Sequence, residues 1–188
     1  MGVRFSKIVF GLISFAIAVP SAQAQGPDPR AADGVQFFAA FCVASAGTRD
    51  RALTVLGNGN ELARRLPDEV VQQAQGGSEG GVGWMVRSPN NAELMLDYTA
   101  SGICGLRIRE ADETSVRDAF EAVMKGVAKG AGAELASEVP EVRQVDGART
   151  TYKAYSFPIG ARTAHLALTT ADRPVGAQQH FMTFGFVQ

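Results

Sequence analysis

The sequence has few of the residues that commonly perform chemistry. Its 188 residues include two cysteines, two histidines and one tryptophan. No H-x-H, H-E-x-x-H or C-x-x-C pattern is present, so the chain lacks a recognisable set of metal ligands. The patterns G-x-x-x-x-G-K-S/T and G-x-G-x-x-G of nucleotide-binding loops are also missing. These absences predict a protein without a metal, a cofactor or an identifiable catalytic residue.

The chain also lacks an excess of either charge. It carries 18 basic and 19 acidic side chains, and two of the basic residues fall within the first 24 positions. The rest of the chain therefore has a net charge of about −3, whereas nucleic-acid-binding domains usually carry a basic surplus on one face. We expect no nucleic-acid partner.

The one long apolar run stands at the N-terminus. Arg4 and Lys7 precede an apolar stretch at residues 8–19, and small residues then lead to Ala24. This order predicts a secretory signal peptide over residues 1–24, cleaved after Ala24. The run is shorter than the roughly 20 residues of a membrane-spanning helix. We therefore expect a periplasmic or secreted protein with no stable membrane insertion after cleavage.

Cys42 and Cys104 are the only two cysteines. In an oxidising compartment, a single pair favours one disulfide bond between them. The alternative, a reactive thiol pair, has little support because no histidine or cluster of cations adjoins either cysteine to lower its pKa. The sequence predicts the disulfide Cys42–Cys104.

The organisation after the signal is that of a single α+β domain at residues 33–188, preceded by a flexible leader at residues 25–32. Asp33 is expected to cap a first helix that carries Val35, Phe38 and Cys42 on one face. Two further helical segments are predicted, one at residues 51–56 and one at residues 62–70 that is interrupted or restarted at Pro67.

A long central helix is predicted from Asp112 or Thr114 to Gly130 by an apolar stripe at helical spacing. Alternating apolar residues predict the strands, and the pair Asp146-Gly147 predicts a hairpin turn between two of them. The expected strands are residues 82–87, 94–98, 104–108, 139–145, 149–157, 164–170 and 181–187. The predicted fold is N-terminal helices and the long helix packed on a mainly antiparallel sheet of about five to seven strands.

Two histidines, His165 and His180, are the candidate general bases near neutral pH. If the last two strands pair, the two side chains can approach each other. Ser78 lies in a glycine-rich segment, residues 75–83, that does not follow a buried strand as a nucleophile elbow would. This segment is predicted to be a mobile loop.

Four basic residues suggest a charged stripe on the solvent face of the sheet. Arg107 and Arg109 alternate outward on one predicted strand, and Arg87 and Lys153 can extend the row. We interpret them as solvated charges.

Several features together resemble a group of small exported proteins of unknown function from Gram-negative bacteria. They are the helix at residues 37–42 with its cysteine, the Trp84 strand, and Cys104 followed by Ala111-Asp112 and a helix with Val116 and Phe120. The resemblance covers most of the chain after the signal. It implies the fold and the compartment, and it carries no active residues.

Three functions stay open from the sequence. The first is a binding or accessory module for an envelope protein or a small ligand. The second is a hydrolase that acts on an envelope component, with His165 or His180 as general base. The third is an inhibitor of a hydrolase that inserts the loop at residues 75–83 into its target.

Overall fold

Nine strands form one antiparallel sheet in the computed structural model, which describes residues 26–57, 59 and 61–187. The order is β1-β2-β3-β4-β9-β8-β7-β5, and β6 also pairs with β7. The strands are β1 Ala63–Arg65, β2 Val82–Arg87, β3 Glu93–Tyr98, β4 Cys104–Ile108, β5 Ala136–Ser137, β6 Glu141–Val145, β7 Ala148–Ile159, β8 Arg162–Ala171 and β9 His180–Val187.

The predicted α+β class and antiparallel sheet are confirmed, and the predicted count of five to seven strands is wrong. The two strands missed, β1 and β5, are three and two residues long. Strands this short show no periodicity, because alternation needs about four residues to be read. The signal peptide predicted over residues 1–24 lies outside the described residues.

Four α-helices accompany the sheet in the described part of the chain, and none is long and apolar enough to cross a membrane. They are α1 Pro29–Phe38, α2 Asp50–Leu56, α3 Asp68–Ala74 and α4 Glu113–Gly130, and a π-helical turn, Ala39–Val43, continues α1. Helices α1 and α4 pack on each other and on the same face of the sheet, which we name the inner face. The expectation of one long central helix is therefore wrong, because α1 shares this face with α4.

The first helix begins earlier than predicted. Its first residue is Pro29, and the Asp28 carboxylate caps it, so the flexible leader predicted at residues 25–32 is wrong from Pro29 onward. An aspartate followed by proline is a typical helix start, because proline suits the first helical turn. Asp33, the predicted cap, instead accepts a hydrogen bond from the backbone N–H of Asn90 at 3.0 Å.

The predicted helical segment at residues 62–70 is divided in two. Pro67 separates strand β1 from helix α3, since its ring cannot continue a helix that started before it. Helix α3 lies on the opposite, outer face of the sheet, where Val71 meets Gly83 of β2.

The core lies between the inner face and the helix pair. Asp112 caps α4, and Val116, Phe120 and Met124 of its apolar stripe are fully buried. Large buried side chains from the strands complete this core, namely Trp84, Leu94, Leu96, Tyr98, Leu106, Ile108, Phe157, Leu166 and Phe184.

The predicted disulfide is confirmed. Cys42 in the π-helical turn bonds to Cys104 at the start of β4, across 62 residues of sequence. The bond fixes the end of the first helix to the inner face of the sheet. Beside it, the buried Tyr98 hydroxyl donates a 2.6 Å hydrogen bond to the Phe41 carbonyl.

Candidate binding groove on the outer face

Four outward-facing side chains form a row across the middle of the sheet. Met85, Met95, Arg107 and Phe181 stand directly opposite one another on β2, β3, β4 and β9. Their strand neighbours point into the core, so the alternation of each strand leaves this row on the outer face. Three of the four are apolar and only half-buried, which is unusual for the side of a sheet turned away from its core.

A groove of about 700 Å³ runs along this row. Helix α3 forms one wall with Val70, Gln73 and Ala74, and the loop at residues 175–178 forms the other. Pockets that take small molecules commonly have volumes of about 300–1,000 Å³ and a mainly apolar lining with a few polar groups. The groove has this size and composition.

Glycine at two outward positions lets the groove form. A Cβ on Gly83 would lie 3.0 Å from the Val71 side chain, so glycine allows α3 to approach the sheet. A Cβ on Gly105 would lie 2.9 Å from the Phe181 ring and 3.0 Å from the Asp97 carboxylate. The absence of a side chain at residue 105 thus makes room for the aromatic ring and for the ion pair beside it.

Arg107, which lines the groove, belongs to a buried ion pair. The Asp97 side chain, 3% exposed, pairs with Arg107, 11% exposed. Gln75 Nε2 donates to the carboxylate at 2.8 Å, and Arg107 Nη2 donates to the Ala74 carbonyl at 2.8 Å. The guanidinium also stacks over the Phe181 ring, 4.2 Å from its centre. Burial raises the pKa of Asp97, and the neighbouring guanidinium opposes that shift.

The interpretation of Arg107 as a solvated charge is therefore wrong. Asp97 faces Gly105 across the sheet, two residues from Arg107 on the same strand face, and such diagonal neighbours are within reach of long side chains. The pairing depends on strand register, which the sequence does not display.

The interpretation as solvated charges is confirmed for Arg87 and Arg109, which are 68% and 67% exposed. Both pair with Glu93, at 3.5 Å and 2.7 Å. Lys153 lies on the inner face, where its Nζ contacts Glu121 of α4 at 2.7 Å.

Arg109 supplies an exposed cation at the rim of the groove. Its side chain is 67% exposed, and its hydrogen bond lowers the pKa of Glu93. An exposed ion pair of this kind contributes little to stability, because water screens both charges. Arg109 can therefore exchange Glu93 for the anionic group of a ligand at little cost.

The two histidines do not meet. Strands β8 and β9 pair, but His165 stands opposite Gly185, at the far end of β9 from His180. His165 points to the outer face and His180 to the inner face. Neither side chain lines the groove.

His180 is buried, and its ring Nε2 lies 3.0 Å from the Ala111 carbonyl. Because a carbonyl only accepts, Nε2 carries the proton and Nδ1 bears a lone pair. That Nδ1 has no hydrogen-bond partner within the described chain. A second proton would place an unpaired charge in the core, and burial accordingly lowers the pKa of His180, although Glu113, Asp112 and Asp28 act in the opposite direction.

This burial predicts a loss of stability in mild acid. The unfolded chain binds a proton at its histidine near the usual pKa of about 6.5, while folded His180 stays neutral. The contribution of neutral His180 to the free energy of unfolding should therefore be fully present above about pH 6.5. As the pH decreases further, the free energy of unfolding should decrease by up to about 1.4 kcal/mol per pH unit, until His180 is also protonated in the folded protein.

Urea unfolding of the wild type and of His180→Gln between pH 5 and pH 7.5 measures this effect. The variant should show the smaller pH dependence, and His165→Gln, which removes the outer-face histidine, should keep the wild-type dependence. Equal dependence in the wild type and His180→Gln would contradict the role given to burial.

Ser78 lies in an exposed loop beside a shallow depression of about 160 Å³. No histidine is among the residues that line this depression. In the described part of the chain, no group of three or more His, Cys, Asp or Glu side chains is arranged to hold a metal ion.

The groove residues were not identified from the sequence as a site, although a signal was present. Met85 and Met95 occupy the polar phase of the predicted hairpin, where a solvated sheet face would carry hydrophilic residues. Two methionines in that phase indicate a covered or ligand-binding face.

No family model, curated protein or solved structure matches this chain. The resemblance to small exported proteins therefore stays a prediction, and the groove is the feature from which a function can be inferred.

Proposed function

We propose that this protein is an exported binding module whose outer-face groove takes an amphipathic anion. The ligand would be a small molecule, or a segment of an envelope protein, that combines an apolar chain with a carboxylate. The half-buried apolar row of Met85, Met95 and Phe181 on the outer face is the observation that carries this proposal.

The chemistry of the lining favours an apolar chain as ligand. Methionine side chains are flexible and polarisable, so they adapt to ligands of varied shape, and the ring of Phe181 adds a rigid apolar surface. The fixed pair Asp97–Arg107 is already internally neutralised. The exposed guanidinium of Arg109 is therefore the group that would receive the carboxylate.

The disulfide Cys42–Cys104 supports export, because such bonds persist mainly in oxidising compartments. The signal peptide predicted at residues 1–24 agrees with this compartment. The alternative of a hydrolase has weaker support. His180 bonds to a backbone carbonyl, and His165 forms no hydrogen bond to a serine or carboxylate in the described chain.

Decanoate and decanol form a matched pair of probes, because they share an apolar chain and differ in the carboxylate. We expect decanoate to shift the methyl NMR signals of Met85 and Met95 and to leave those of the buried inner-face Met124 and Met182 in place. Decanoate should bind roughly three- to tenfold more tightly than decanol, which corresponds to one exposed charge-assisted contact.

Two substitutions separate the apolar row from the rim cation. Met95→Lys should abolish the shifts with both probes, whereas Arg109→Gln should remove only the preference for decanoate. Arg87→Gln is the control, since Arg87 also pairs with Glu93 but does not line the groove. The proposal would be refuted if 10 mM decanoate shifted neither Met85 nor Met95, or shifted Met124 equally.

A further inference from the structure

Strand β6 forms an exposed edge of the sheet. It pairs with β7 along one side, and no strand in the described residues pairs with its other side. All five of its residues are exposed. Val139, Val142 and Val145 are 90%, 59% and 40% exposed, so apolar side chains accompany the unpaired backbone.

The backbone groups that point to this free edge can be identified. Arg149 of β7 directs its N–H to the Asp172 carboxylate and its carbonyl to the Asp172 N–H, on the side away from β6. Arg149 and its partner Gln144 are therefore a non-hydrogen-bonded pair of the hairpin. Hydrogen-bonded and non-hydrogen-bonded pairs alternate along an antiparallel ladder. The N–H and C=O groups of Gln144, and of Val142 two residues away, therefore point away from β7.

Two copies of this edge strand, placed antiparallel to each other, have complementary charges. Residues 139–145 read Val-Pro-Glu-Val-Arg-Gln-Val, with a valine at each end, a valine at the centre and opposite charges on the two sides of Val142. When two such strands run antiparallel about that residue, Glu141 of each lies opposite Arg143 of the other, and Val142 lies opposite its own copy. Opposite charges at facing positions stabilise a strand pair, and like charges destabilise it.

We propose that a second copy of this chain pairs with β6 through this edge and forms a two-fold symmetric dimer. The backbone agrees with that register. Each Val142 N–H can donate to the Val142 carbonyl of the other copy. Pro140 has no N–H and so ends the pairing. Because the contact uses the same patch on both copies, it closes at two.

The existing contact between Glu141 and Arg143, at 2.6 Å, lies on one face of the strand with both side chains at least half exposed. In the dimer, the two pairs would combine into a cluster of four alternating charges. Side chains that face each other in an antiparallel pair lie on the same side of the sheet. The outer faces of both copies would therefore point in one direction.

If the proposed function is correct, the dimer presents two grooves on the same side. Two weak sites that engage one surface or one chain can bind far more tightly than either alone. The dimer itself does not depend on the groove, so each proposal can fail separately.

Sedimentation equilibrium of the chain without residues 1–24 tests the dimer directly. Because few residues pair, we expect a reversible monomer–dimer equilibrium within roughly 1 μM to 1 mM protein. Arg143→Glu and Glu141→Arg should each weaken dimerisation at least tenfold, since each places like charges opposite each other. The double variant Glu141→Arg/Arg143→Glu restores opposite charges and should restore dimerisation.

Arg64→Glu is the matched control, because it makes the same charge reversal on β1, the edge strand at the other end of the sheet. It should leave the equilibrium unchanged. A monomer throughout the concentration range would overturn the proposal. So would a dimer that Arg64→Glu disrupts, or one that the double charge swap fails to restore.

Discussion

Arg107→Met is expected to lower the free energy of unfolding by about 3–5 kcal/mol at pH 7, as removing one partner of a buried ion pair typically does. The substitution leaves the Asp97 carboxylate, 3% exposed, with Gln75 as its remaining side-chain partner. It also removes the hydrogen bond to the Ala74 carbonyl, which holds the end of α3 against the sheet. Urea unfolding followed by circular dichroism measures the loss.

The double variant Asp97→Asn/Arg107→Met should recover a large part of this loss, because it removes the unpaired charge along with its partner. Arg109→Met is the exposed control and should change stability by no more than about 0.5 kcal/mol. The loss in Arg107→Met should also shrink at low pH, where protonation neutralises Asp97. If Arg107→Met were as stable as Arg109→Met, the Asp97 carboxylate would not depend on Arg107 to compensate its buried charge.

Cys104→Ser is expected to destabilise the protein by about 2–5 kcal/mol. The bond closes a loop across 62 residues of sequence, and chain-entropy arguments assign about 4 kcal/mol to a loop of that length. Without the bond, the π-helical turn Ala39–Val43 loses its covalent attachment to β4. Thermal and urea unfolding measure the effect.

Cys42→Ser should give the same loss within error, and so should reduction of the wild type. Agreement among the three would assign the loss of stability to the disulfide bond rather than to the replacement of one cysteine side chain by serine. An unchanged melting temperature in Cys104→Ser would show that the bond contributes little to stability.

Much of the fold could be predicted because it depends on local sequence. The Asp146-Gly147 turn is an example, since both residues adopt positive φ angles of 49° and 76° and few residue pairs tolerate that conformation. The limits of β2, β3 and β4 follow from strict alternation. Helix α4 follows from an apolar stripe and the Asp112 cap.

The elements that were missed depend on partners distant in the chain. Strands β1 and β5 exist only because β2 and β7 offer them hydrogen bonds. The role of Arg107 required the register between β3 and β4, which brings Asp97 beside it. The groove in turn required α3 to fold back over the outer face, a placement that Pro67 permits but does not specify.

The sequence by itself determined the pairing of Cys42 with Cys104, because two cysteines allow a single intramolecular pairing. It also determined the α+β class and the hairpins, because apolar periodicity and turn chemistry are local properties. Only the tertiary structure decided which strands lie side by side and which side chains share a face. It made Arg107 part of a buried pair, kept His165 and His180 apart, and placed two methionines and a phenylalanine in one open row. The physical reason is that register and packing join residues far apart in the chain, and no local pattern records those contacts.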